Sequence, residues 1–94
     1  MAEIQFQGKS LAAVARDIAD GMIFMTPLLL KNLDEGGIRA LYHQLKKLQT
    51  EVRSSKFPSH DIQGIRTRNL RLQRLHQSLN VLEHSARKLR IKIA

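Results

Sequence analysis

Leu72-Gln73-Arg74-Leu75-His76-Gln77-Ser78-Leu79-Asn80-Val81-Leu82-Glu83-His84-Ser85-Ala86 places an apolar residue at steps of three and four: Leu72, Leu75, Leu79, Leu82 and Ala86. A helix of 3.6 residues per turn gathers those positions on one face, whereas a strand would scatter them over two. Leu89 and Ile93 continue the seam, which makes it a heptad pattern of the kind that packs helix against helix. Ile65 extends it backwards, with Arg68 at the seam position between, where a cation sets register or ends the apolar contact. The spacing predicts a helix over 60–93, about 50 Å long at 1.5 Å per residue. Ser59 and Asp61 suit its start, and Arg87, Lys88, Arg90 and Lys92 suit its end, where cations meet the negative pole of the helix dipole.

A loop at Ser54–Ser59 precedes that helix, and Phe57 in Phe57-Pro58 is expected to anchor it on the core. Before the loop, Ile38, Leu41, Leu45, Leu48 and Val52 repeat at the same spacing, with Tyr42 beside the stripe. Thr26-Pro27 breaks the chain upstream, since proline lacks an N–H and clashes with the preceding turn. The same pair can open a new helix, Thr26 as cap and Pro27 in the first turn. A segment from 27 to 54, about 42 Å long, is weakened or kinked at Gly36-Gly37. Two rods of similar length joined by a short loop predict an antiparallel hairpin of 27–54 with 60–93. Leu11, Val14, Ile18, Met22 and Met25 predict a third helix over 11–25, capped by Ser10. The expected fold is therefore all-α, a three-helix bundle with coiled-coil-like packing in one domain, 1–94. Residues 1–9 are an arm that is extended or disordered, because Glu3-Ile4-Gln5-Phe6-Gln7 alternates as a half-buried strand does.

Composition narrows function more than it names it. The chain has 94 residues, enough for one thin core. With no cysteine it holds no disulfide, zinc-thiolate site or cysteine nucleophile. No apolar run approaches the roughly 18–20 residues that span a bilayer, and Met1 to Gly8 lacks the flank and apolar block of a signal peptide. The expectation is a cytoplasmic protein. The net charge of +8 is unevenly placed. Residues 1–36 carry three cations against five acids, 37–56 five against one, and 57–94 eight against two. A slightly acidic first third is thus set to cover a basic hairpin, within one molecule or across a dimer.

Candidate chemistry is thin. Asp17 and Asp20 share a helix face and could act as a carboxylate pair, but no further ligand stands at helical spacing beside them, and a solvated face is the expected reading. Asp34-Glu35-Gly36-Gly37 reads as a turn or helix start, not as a phosphate loop. Among His43, His60, His76 and His84, the last two are eight residues apart, about 12 Å along an axis, too far to chelate one ion. No catalytic residue, metal or cofactor is expected, and the chain reads as non-enzymatic.

Two binding readings remain. Leu70, Val81 and Ile91 lie off the seam and, with Leu28, Leu29 and Leu30, offer more apolar surface than three helices hide, which marks a contact face. Interaction with a second copy (a homodimer) or a helical partner protein is the first reading, through Leu70, Leu72, Leu75, Leu79, Val81, Leu82 and Leu89. The alternative is nucleic acid, with Arg66, Arg71, Arg74, Arg87 and Lys88 contacting phosphates. It lacks a reading device: no helix-turn-helix signature and no stacking platform among Phe6, Phe24, Tyr42 and Phe57. The apolar stretch Met22–Leu33 is short, interrupted and poor in cations, so membrane contact is not expected.

Overall fold

The computed structural model describes residues 5–6, 9–56 and 60–93. A two-residue antiparallel ladder comes first, β1 (Gln5–Phe6) against β2 (Lys9–Ser10), with Gln5 opposite Ser10 and Phe6 opposite Lys9. Four helices follow: α1 (Leu11–Ala19), α2 (Pro27–Leu30), α3 (Glu35–Arg53) and α4 (Ile62–Lys88). They pack as an all-α bundle, 44 × 28 × 22 Å. The extended arm pairs within its own chain; the expected role of Phe57 lies outside the described residues.

The hairpin is α3 with α4. Arg68 Nη1 donates to the Ser55 carbonyl at 3.1 Å where the two helices meet the connecting loop. At the other end Arg39 Nε donates to the Lys92 carbonyl at 2.6 Å, and Arg39 also pairs with Glu35. These two ties make the helices antiparallel. Arg68 therefore stands where the apolar contact ends, one of the two roles expected of a cation in the seam. The core is built from the predicted stripes: Leu11, Val14 and Ile18 of α1, Ile38, Leu41, Leu45 and Val52 of α3, and Leu75, Leu79, Leu82 and Ala86 of α4. Leu75, Leu82, Leu41 and Leu45 are fully buried, and burying each such side chain contributes about 1.5–3 kcal/mol.

Helix starts follow the expected chemistry. Ser10 Oγ accepts from the Ala13 N–H, Thr26 Oγ1 from Leu29, and Asp61 Oδ1 from Gly64. Helix ends differ from expectation in three places. First, α1 stops at Ala19, not at 25. Gly21 takes φ +81°, the Met22 N–H returns to the Asp17 carbonyl (2.8 Å), and the Gly21 N–H returns to Ile18 (3.1 Å). That pair of bonds is a Schellman close, with glycine in the left-handed position. Second, 27–54 is not one rod. Asp34 Oδ1 accepts from the Gly37 N–H at 2.7 Å and starts a new helix, so Gly36-Gly37 sits in a first turn instead of mid-helix. A Cβ on Gly37 would stand 3.2 Å from both Asp34 Oδ1 and Leu33 Cδ2, so a side chain there would press on the cap and on Leu33. Third, α4 closes at Lys88 by the same Schellman bonds, Ile91 N–H to Ala86 and Arg90 N–H to Arg87, with Arg90 at φ +59°. Helix α4 is thus about 40 Å long, and Ile91 and Ile93 fold back to pack on the core.

The third layer on the hairpin is consequently made of two unlike parts. α1 packs on both α3 and α4, and Asp20 reaches Arg71 at its end. Beyond Gly21, an irregular segment and the single turn of α2 cover the rest of α4 through Met25 and Leu30.

Candidate partner-binding site

The junction of those two parts is where the surface changes character. At the end of α1, Arg74 Nη1 donates to the Ala19 carbonyl at 3.2 Å, placing a cation on the negative pole of the helix. Arg71 Nε lies 3.3 Å from Asp20 Oδ1, close enough for an ion pair but without hydrogen-bond alignment. Both contacts are between the acidic first third and the basic hairpin, within one molecule.

After this junction the chain passes through Met22, Ile23, Phe24 and Met25 in non-helical conformation. Met25 turns in and is buried, Ile23 is partly so, and Met22 and Phe24 point out, 76% and 78% exposed. Leu28, on α2, is 70% exposed. Three large apolar side chains within seven residues therefore face water, which folded proteins avoid outside contact surfaces. Beside them an open cleft of about 430 Å³ runs between this segment and α4. Its walls include Ile23, Phe24 and Met25 on one side and Gln77, Asn80 and Val81 on the other, with Arg74 at one end.

The residues expected to bind a partner divide sharply. Leu75, Leu79 and Leu82 face the chain's own α1 and α3 and are buried, so in the folded protein they belong to the core and not to a docking surface. Leu72 is partly buried against the same core. Leu70 and Leu89 remain exposed, 45% and 58%, and Val81 is half-buried in the cleft wall. Ile91 is half-buried against the core by the turn at Arg90. The phosphate candidates divide too. Arg71 and Arg74 hold α1, whereas Arg66, Arg87 and Lys88 are exposed. Arg66 and Arg87 stand 21 residues apart on one helix, about 32 Å, and form no single patch.

The remaining candidates come to little. Asp20 is engaged with Arg71. His76 lies 3.4 Å from Asn80 on the outer face of α4, and His43 stacks edge-on with Tyr42. Among the described residues no three histidines or carboxylates gather in a way that could hold a metal ion, and no helix is long and apolar enough to cross a membrane.

Met22 and Phe24 were not expected at a partner site, because Met22 continues the spacing of α1; of the three leucines expected to add contact surface, Leu28 is exposed, Leu29 is partly buried and Leu30 is in the core. The available signal was Gly21, a C-terminal helix stop directly after Asp20. No protein-family model, no curated protein and no solved structure matches this chain.

Proposed function

We propose that this chain is a non-enzymatic helical protein that acts by binding a protein partner, and that the contact is the cleft between residues 22–25 and α4 with its apolar rim. The observation that carries this reading is the clustering of exposed Met22, Phe24 and Leu28 within seven residues beside an open cleft, whereas the other exposed large apolar side chains, Ile62, Leu70 and Leu89, are scattered along α4 and its end. Exposed aromatic and methionine side chains at a concave site are what interface centres are made of.

Photo-crosslinking from position 24 in the source cell tests it. The expected result is one or a few discrete protein adducts, lost when Val81 is also replaced by Ser. Adducts only to nucleic acid or lipid, or none above those from a benzophenone at exposed Lys47, would refute it.

A second reading keeps the exposed Arg66, Arg87 and Lys88 as phosphate contacts. It requires binding to duplex DNA or RNA that weakens by orders of magnitude between about 50 and 200 mM salt. Arg66→Gln with Arg87→Gln should flatten that dependence.

A further inference from the structure

The α4 wall of the cleft includes Gln77 and Val81, which belong to a second stripe of α4, distinct from the core seam and longer than the cleft. Positions 66, 70, 77, 81, 84 and 88 recur at steps of three, four and seven and so share one face of the helix. Arg66, Leu70, Gln77, His84 and Lys88 are exposed there and Val81 half-buried. The stripe itself is apolar or neutral through its middle with a cation at each end, and Arg74 adds a further cation beside it at the cleft. Arg66 and Lys88 are 22 residues apart, about 33 Å. Glu83, the one acid within α4, belongs to another side, where it lines a hollow with Tyr42, Ile91 and Ile93.

This charge layout discriminates among occupants. A second copy paired through the stripe about a two-fold axis would set Arg66 against Lys88 if antiparallel, or Arg66 against Arg66 if parallel. Either arrangement opposes cations across the contact, which costs affinity and selects against self-pairing. A bilayer is flat on this scale and does not enter a cleft whose far wall is Gln77, Asn80 and Val81. A helix is a ridge about 10 Å wide and fits a groove between a helix and a loop. We infer that the occupant is an acidic amphipathic helix of a partner protein. Its apolar face sits on Phe24, Leu70 and Val81, and carboxylates at its ends meet Arg66 and Lys88. The inference rests on the protein-binding reading above and specifies the partner's chemistry.

The chain contains no tryptophan, so a tryptophan in a synthetic peptide reports binding without background. The probe is a helical peptide of about 22 residues, matched to the stripe at 1.5 Å per residue, with Leu and Trp on one face and Glu in both end turns. A twin carries Lys in place of each Glu. With the full chain, the acidic peptide should bind with a blue shift and lose affinity as salt rises. Phe24→Ser and Val81→Ser should each weaken it by about tenfold or more, as truncations at an interface centre do. Arg66→Gln with Lys88→Gln should weaken it comparably, while Lys46→Gln with Lys47→Gln, the same charge change on exposed positions of α3, should leave it within about twofold, as surface pairs away from the site do.

Five results would overturn the inference, four of them from the peptides and sedimentation. Those four are equal binding of the Lys twin, equal weakening by the Lys46/Lys47 pair, no binding of the acidic peptide, or a dimer in sedimentation that Val81→Ser dissolves. Binding to phosphatidylserine vesicles that Phe24→Ser abolishes, without peptide binding, would do so in favour of a membrane. A circular-dichroism melt of each variant checks that it is folded, and Phe24, 78% exposed, carries little of the core. A discrete protein adduct from position 24 together with no affinity for acidic helices would leave protein binding standing and remove the acidic helix alone.

Discussion

Replacing Gly21 by Ala should destabilise the protein through two separable effects at the end of α1. The first is backbone. Gly21 has φ +81°, a region that costs a residue with a Cβ about 1–2 kcal/mol. Alanine recovers about 0.4–1 kcal/mol of that by restricting the unfolded chain. The second is steric. The new Cβ would lie 2.8 Å from Arg74 Cζ and 3.0 Å from Nη2, so the guanidinium must move away. Moving it endangers the 3.2 Å bond from Arg74 Nη1 to the Ala19 carbonyl. That bond is long and part-buried, so its loss is set below the charged-donor range, at the upper end for an ordinary hydrogen bond, about 1–1.5 kcal/mol. Together the two effects come to about 2 kcal/mol, or roughly 8–16 °C in Tm for a chain of this size. Urea unfolding followed by circular dichroism measures the change in midpoint at fixed slope. In an Arg74→Ala background the steric part vanishes, so Gly21→Ala should then cost only about 0.5–1 kcal/mol, a coupling of about 1 kcal/mol. A Gly21→Ala cost below about 0.5 kcal/mol, or an equal cost in both backgrounds, would refute the packing of Arg74 over this turn.

Three further predictions test the helix boundaries and the seam. Arg90→Gly should stabilise by about 0.5–1 kcal/mol, because relief of the left-handed strain exceeds the added chain entropy; a loss of stability would mean that α4 runs on past Lys88. Leu82→Ala should cost about 2–5 kcal/mol, whereas Leu89→Ala, at an equivalent seam position but 58% exposed, should stay within about 0.5 kcal/mol; comparable costs would restore the uninterrupted seam. Asp34→Ala should cost about 1 kcal/mol and Asp34→Asn much less, read by urea midpoint, since the cap needs only an acceptor for the Gly37 N–H.

The core stripes and helix starts were legible because each is written locally. A leucine at every third or fourth position faces one way whatever else the chain does, and Ser10, Thr26 and Asp61 cap with their own side chains. The helix ends were not legible to periodicity. Met22 and Met25 keep the spacing of α1, yet the glycine between Asp20 and Met22 stops the helix and gives the two methionines opposite fates, one exposed and one buried. Arg90 offers no warning, since an arginine in the left-handed region is held there by Ile91 packing inward and by bonds back to Ala86 and Arg87. Asp34 through Gly37 carried both messages, a helix start and a weak point in a longer rod, and the side-chain cap decided between them.

Those local stops explain why the candidate site exists. A third helix running straight from Leu11 to Met25 would have laid its apolar stripe along α4 and left no cleft there. Ending it at Ala19 leaves the C-terminal half of α4 to a segment too short and irregular to bury everything it carries. Met25 fills the core, so Phe24 and Met22 are turned outward by alternation along the non-helical segment, while on the helical turn of α2 Leu30 takes the core side and Leu28 the solvent side. The exposed apolar rim is therefore tied to the turn at Gly21 and to Arg74, which holds that turn from α4. A substitution that straightens the turn should lower stability and close the cleft together, whereas truncating Phe24 should alter the cleft alone. If a substitution that runs α1 on past Ala19, read as gained helical ellipticity, left the binding of a partner helix intact, the location of the site between residues 22–25 and α4 would be wrong.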